Sequence, residues 1–241
     1  MLWADWMLLT SGRWDSASLL VDRAVYGLAN ELGVVMFENL GAYIEQRLGE
    51  YDSISEDRKK ELERVSEYVR NRLGQGKKAR LTFICTHNSR RSHLSQIWAK
   101  IAAEYYGLKG VETYSGGTEG TAFNPRAVEA LRRCGLLIVA RNPESTNPVY
   151  QVQSSVSQPV QECFSKVYDA PPNPVTEYCA VMTCTQADEA CPVVTGCELR
   201  VPIRYEDPKV ADDTPEESAR YDERSRQICR EMFYMMSMVQ R

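Results

Sequence analysis

The chain has 241 residues, 43% of them hydrophobic, with 29 Lys plus Arg against 33 Asp plus Glu and a formal charge of −4. That balance excludes a disordered chain and gives no support for a basic, nucleic-acid-binding surface, and no run of about 18 apolar residues exists to span a membrane. Eight cysteines are too sparse for a disulfide-stapled scaffold in a chain long enough to bury a core, and only two histidines are present.

In chain order, the first seven residues carry Asp5 and no basic residue ahead of Met7-Leu8-Leu9, so the charged-then-apolar pattern of an export signal is missing. The cysteines therefore read as mostly reduced thiols of a cytoplasmic protein. An amphipathic helix fits residues 16–32, closed by Gly33, and Met36 is a second candidate start. Over 37–73, Leu40, Tyr43, Ile44 and Leu48, then Leu62, Val65, Tyr68, Val69 and Leu73, recur at helical spacing. They predict two helices broken near 49–53, the second opening at Ser55 with acidic residues in its first turn. Gly74-Gln75-Gly76 is a linker, so 1–76 is read as a helical N-terminal extension and 77–241 as the main α/β domain.

Leu81-Thr82-Phe83-Ile84 is an apolar, β-rich run and predicts a buried strand. After a loop over 85–91, Ser92 is placed to cap a helix carrying Leu94, Ile97, Trp98 and Ile101 that stops at Gly107. A second strand over 111–115 ends at Gly116-Gly117. Asn124-Pro125 opens a helix over 126–134 with Gly135 past its end, which uses Pro and Gly at the positions that favour each. Residues 136–140 fit a further strand or a helix-to-loop passage. Six prolines mark 141–177 as a loop-rich insertion in which alternation around Val149 to Gln153 suggests a hairpin. Strands follow over 178–183 and 200–204. Thr214-Pro215-Glu216-Glu217 reads as a capping box that opens a last helix running to about Val239. Strands alternating with helices predict an α/β three-layer sandwich around a central parallel sheet.

The chemistry concentrates in Cys85-Thr86-His87-Asn88-Ser89-Arg90-Arg91-Ser92, a cysteine and an arginine five residues apart on a strand–loop–helix turn. Successive backbone N–H groups of such a loop, with the positive end of the following helix, cradle a tetrahedral oxyanion without a metal or other cofactor. Thr86, His87, Asn88, Ser89, Arg90 and Arg91 are the candidate oxyanion-binding residues. The same field favours a thiolate at Cys85. Arg91 offers the planar fork that grips two oxygens, and Ser92 can donate to the sulfur. Both histidines, His87 and His93, fall in this stretch, which excludes a Ser-His-Asp arrangement elsewhere and argues against a His-rich metal site.

Two further groups fall after later strands. Cys184 and Cys191, six residues apart, follow the strand at 178–183; in a parallel sheet Cys184 emerges at the same carboxyl edge as Cys85, where it could attack a sulfur adduct. Helix spacing puts Cys184 and Cys191 roughly 10 Å apart, so they meet only if the segment between them loosens. Their neighbours Cys179 and Cys197 add no Cys-x2-Cys knuckle for zinc. Asp207-Pro208, after the last strand, places a carboxylic acid where it could protonate a leaving oxygen.

Taken together, residues 85–92, the Cys184/Cys191-Pro192 pair, Asp207-Pro208 and the passages Tyr114-Ser115-Gly116-Gly117 and Asn124-Pro125 resemble the thioredoxin-coupled arsenate reductases, which share a fold and anion loop with the low-molecular-weight protein tyrosine phosphatases. The resemblance covers about 79–240. It implies that Cys85 attacks arsenate, that Arg91 and the loop amides hold the oxyanion, and that Asp207 is the general acid. It implies further that Cys184 attacks the Cys85 adduct, and that Cys191 then forms a Cys184–Cys191 disulfide open to thioredoxin. The sequence departs from the family at His87, usually glycine, at the additional Arg90, and at Lys209, where the phosphatases carry tyrosine. The expected activity is arsenate reduction. Phosphotyrosine hydrolysis through Cys85, Arg91 and Asp207 is the alternative, and a non-catalytic oxyanion or redox sensor the third reading. The N-terminal helices are expected to pack against the domain or to form a homodimer.

Overall fold

A computed structural model describes residues 35–190 and 193–241. The helix expected over 16–32 and the Cys191-Pro192 pair lie outside the described residues. Ser55 caps the second described helix as expected, its hydroxyl accepting from Arg58 N, and Asn124 caps the helix after it in the same way with Pro125 at the first position.

The described chain runs α1 (Glu38–Leu48), α2 (Glu56–Gly74), β1 (Ala79–Cys85), α3 (Arg91–Tyr105), β2 (Val111–Gly117), α4 (Pro125–Arg133), β3 (Leu137–Ala140), β4 (Tyr150–Gln153), β5 (Gln161–Cys163), β6 (Tyr178–Met182), α5 (Thr185–Ala190), β7 (Cys197–Pro202) and α6 (Glu217–Ser237). Four strands form a parallel sheet in the order β2-β1-β6-β7. Successive side chains of a strand face opposite ways, and here both ways lead into apolar packing. Leu81 and Phe83 of β1 with Cys179 and Val181 of β6 join a large core with α1, α2, α3, α4 and α6. Ile84 with Tyr178, Ala180 and Met182 joins a smaller cluster under α5 and Val194. The layers are helix, sheet and a thin outer cover among the described residues, and β1 is buried on both faces from Leu81 to Cys85, where Thr82 is its one hydroxyl side chain.

Residues 136–140 resolve as strand β3, and the stretch over 141–177 holds β4 and β5. The three make an antiparallel sheet of their own, with Leu137 opposite Gln153 and Tyr150 opposite Cys163. α1 and α2 lay their apolar faces, Leu40, Ile44, Leu62, Val65 and Val69, into the same core as Trp98 and Met232. Tyr43 stacks on Trp98 at 5.7 Å between ring centroids. Gly135, with φ of 96°, both ends α4 and lets α1 approach, since a Cβ there would lie 2.5 Å from Leu40 N.

Three local expectations are corrected. Ser92 does not cap α3; the helix opens at Arg91 with no side-chain cap, because the Ser92 hydroxyl is engaged by Asn88 and Cys85. The capping box at 214–217 does not form. Thr214 Oγ1 donates to Ala211 O and closes the preceding turn, and Glu217, whose carboxylate accepts from Asp213 N, is the first residue of α6. The last strand lies earlier than 200–204, at Cys197–Pro202. Beyond it Ile203 N donates to Met182 O and Tyr205 N to Thr183 O, so the chain still follows β6 up to the loop that holds Asp207.

Candidate active site

β1 ends at Cys85, directly beside Gly117 of β2. Gly117 has to be glycine: a Cβ would stand 2.6 Å from Thr86 O and 2.7 Å from Asn88 N. On the other side of β1, Thr183 anchors to Ile84 O through both its amide (2.7 Å) and its hydroxyl (2.9 Å), so that Cys184 leaves β6 next to Cys85. The parallel order β1-β6-β7 thus brings the segments bearing Cys85, Cys184 and Asp207 to one carboxyl edge, the edge where open α/β sheets gather ligands.

Cys85 is 3% exposed, and its Sγ lies 3.1 Å from Ser92 Oγ. Asn88 Nδ2 donates to Ser92 Oγ at 2.8 Å, which leaves the serine proton free to point at the sulfur. Asn88 itself is left-handed, at φ 44°, and fully buried, its Oδ1 accepting from Lys166 N at 2.9 Å. Arg91, 7% exposed, donates Nη1 to Tyr205 O at 3.1 Å and Nη2 to Asp207 Oδ2 at 2.6 Å. Asp207 Oδ1 accepts from Lys209 N and caps the short 3-10 turn at Pro208–Ala211. Cys184 is buried, its Sγ 3.5 Å from Thr86 Oγ1, and it accepts the Ala187 N–H as α5 begins. Thr86, His87, Arg90, Arg91, Gln186, Asp207, Lys209 and Val210 line a single cleft of about 460 Å³.

Not every candidate residue is free to hold an oxyanion in that cleft. The guanidinium of Arg90 is taken by Tyr221 Oη at 2.7 Å and Asp212 Oδ2 at 3.1 Å. The His87 ring is half exposed, 3.9 Å from Glu119, while Ser89 offers its carbonyl to Asn124 N. His93 is fully buried, stacked on Phe123 at 4.1 Å with Nδ1 3.2 Å from Ser115 Oγ, and burial, reinforced by the Lys166 charge, pushes its pKa far down. Among the described residues no group of three or more His, Cys, Asp or Glu is arranged to hold a metal ion.

One support escaped the sequence reading. Ser165 Oγ donates to His87 O at 3.1 Å and accepts from Thr121 N at 2.8 Å, beside the Lys166 amide on Asn88. Gly117 N donates to Lys166 O, and Tyr168 N to Gly117 O. The stretch read as an insertion therefore backs the anion loop, and its Ser-Lys pair carries no local signal, because its partners lie about 80 residues upstream.

A family model described as low molecular weight phosphotyrosine protein phosphatase matches residues 80–152, the run that contains β1, the loop and α3. Over those residues the chain is similar to the low-molecular-weight phosphatases, and its curated relatives are arsenate reductases. The arsenate reductase of Halalkalibacterium halodurans is 28% identical over 135 residues, 56% of this chain and 78% of that one. That of Bacillus licheniformis is 26% identical over 149 residues, 62% of this chain and 88% of its own. Among solved structures, a low molecular weight phosphotyrosine phosphatase from Vibrio cholerae has 13% identity and a TM-score of 0.43, covering 67% of this chain and 97% of that one. Among the described residues of this chain no helix is long and apolar enough to cross a membrane.

Proposed function

We propose that the protein is a cytoplasmic, thiol-based arsenate reductase regenerated by thioredoxin. The observation that carries this reading is the second thiol against the loop: Cys184 Sγ sits 3.5 Å from the hydroxyl of Thr86, the residue that follows Cys85. A phosphatase needs one thiol, whereas a reduction of As(V) by thiols needs a second sulfur to take the first one's place.

The Cys85 thiolate attacks arsenic held by Arg91 and the loop amides; an S–As bond forms as an As–O bond breaks. Asp207 gives the departing oxygen its proton, and water leaves. The Cys184 thiolate then attacks Cys85 Sγ. The S–S bond forms, the S–As bond breaks with its electron pair going to arsenic, and arsenite departs as As(III). Cys191 displaces Cys85 from that disulfide, and the dithiol of thioredoxin reduces the Cys184–Cys191 bond. Two thiols are oxidised for each two-electron reduction of arsenic, so the cycle balances. Ser92 acts on both sides of it, donating to the Cys85 thiolate before attack and again when that thiolate is the leaving group.

Phosphotyrosine hydrolysis is the second reading, favoured by the description of the matching family model. Against it, among the described residues no Phe, Tyr or Trp lines the cleft, and Lys209 follows Asp207-Pro208 where the resembling phosphatases carry tyrosine. The homodimer is not carried forward, because α1 and α2 spend their apolar faces on the chain's own core. The experiment is arsenate-dependent NADPH oxidation with thioredoxin and its reductase, beside hydrolysis of an aryl phosphate. Cys85→Ser should abolish both activities, and Cys184→Ser and Cys191→Ser should abolish only arsenate turnover. Arsenate turnover that survives loss of Cys184 and Cys191 would sink the relay.

A further inference from the structure

The segment that leads to Asp207 leaves the sheet at Pro202, yet three arginines hold it residue by residue. Arg58 Nη2 donates to Arg204 O, and the same guanidinium lies 5.3 Å above the ring of Tyr205. Tyr205 O accepts from Arg91, Glu206 pairs with Arg224 of α6 at 3.3 Å, and Asp207 pairs with Arg91. Only Arg58 comes from outside the superfamily fold, from the first turn of α2. Its guanidinium is fixed in turn by Glu61 at 2.7 Å and by Glu231 at 3.4 Å, a carboxylate on α6 whose side chain is 3% exposed. A fork held by two carboxylates on different helices has little freedom left, so it transmits the position of α2 to Arg204 and Tyr205.

We propose that Arg58 is a positioning residue for Asp207, and that the α1–α2 segment is thereby part of the catalytic apparatus. This rests on the reading of Asp207 as general acid given above. A proton donor works only within hydrogen-bond reach of the leaving oxygen, and displacement by about 1 Å can cost up to about 100-fold in rate. Arg58 touches neither the oxyanion nor the thiols. It fixes Arg204 and Tyr205 and, two residues on, where the carboxyl stands, while Arg91 is placed by its own helix. Loss of Arg58 should therefore lower the rate of the step that needs the acid and leave oxyanion binding intact.

The test uses the full chain as wild type, Arg58→Ala and Arg58→Lys, read by steady-state arsenate turnover with thioredoxin and by backbone hydrogen exchange. Arg58→Ala should lower kcat roughly 10-fold with KM for arsenate within about 2-fold. Exchange should quicken over 203–213 and stay unchanged over 85–92. Arg58→Lys keeps the charge toward Glu231 but cannot span it and Arg204 O together, so it should recover part of the rate. If Arg58→Ala does not fold, Arg58→Lys alone decides, on the same kcat-against-KM split. Full kcat in the variants, or exchange that quickens equally over 85–92 and 203–213, would overturn the proposal. A wild type without arsenate turnover would overturn the reductase reading instead; exchange over 203–213 then still decides whether Arg58 holds the segment.

Discussion

Asn88 shows how much of the loop rests on one side chain. A left-handed backbone is uncommon outside glycine, and asparagine is the residue that tolerates it best. Here its amide also ties the loop in two directions, to Ser92 ahead and to the Lys166 amide behind. Lys166 is the less expected neighbour: it is buried, its ammonium over the Phe164 ring at 4.4 Å and bonded to Phe164 O, and burial lowers its pKa from 10.5 to about 8. Below pH 8 both folded and unfolded chains hold the proton, and the fold bears the full cost of the buried charge. Between pH 8 and 10.5 only the unfolded chain keeps it, so this group makes stability rise with pH across that window. Lys166→Met should therefore raise Tm at pH 7 and narrow its lead over wild type as the pH is taken from 8 toward 10, measured by thermal melts of the two proteins side by side. A constant difference across the window would contradict a buried ammonium.

At the scale of elements, α5 is six residues long, too short to stand by its own hydrogen bonds. It is held down through Asp188, whose buried carboxylate is paired with Arg200 at 2.5 Å and with Arg204, while Arg200 Nη2 also reaches Asp188 O at 2.7 Å. α5 lies between Cys184 and Cys191, the pair that forms a disulfide in the proposed cycle. Asp188→Asn keeps the volume and removes the charge. It should quicken hydrogen exchange over 184–190 by about 10-fold or more, on the scale of losing one charge-assisted pair, with 79–85 unchanged. Equal exchange in wild type and variant would show that α5 is held by apolar packing alone. Helix spacing between the two cysteines says nothing of this clamp, because its two arginines lie in β7 and in the irregular segment after it.

For the whole molecule, what was legible followed from local chemistry. The apolar runs at 81–84 and 178–183, the helix-period faces of α1 and α2, and the Cys-x5-Arg turn are each written within a dozen residues, and they specified the sheet, its carboxyl edge and the loop. What was not legible depended on contacts between distant segments. The prolines of 141–177 announced a loop-rich stretch, and its two short strands pair with β3 to make a second sheet whose following segment supports Asn88 and His87. The Ser92 cap failed for a related reason: a hydroxyl that could have served the helix is used by the nucleophile's neighbourhood. α1 and α2 read as an appendage from periodicity, yet Ile44 and Leu62 are fully buried in one core with Trp98. Ile44→Ala should cost about 3 kcal/mol, seen as a lower urea midpoint in a single transition that Trp fluorescence and far-UV dichroism report together. Two separate transitions would mean that the N-terminal helices melt on their own.

The unequal cover of the sheet has a kinetic consequence. Among the described residues, one face carries five helices and the aromatic packing around Trp98 and Phe233; the other carries one short helix and a cluster of eight buried residues. Local openings draw on the free energy of the contacts they break, so excursions of the chain should begin on the thin side and leave the thick side closed. The two thiols nearest the loop are on that thin side. Cys85 and Cys184 can thus become transiently reachable to a reagent or a protein dithiol at a small fraction of the cost of unfolding, while Cys134 and Cys229, packed in the thick core, stay shielded for as long as the molecule is folded.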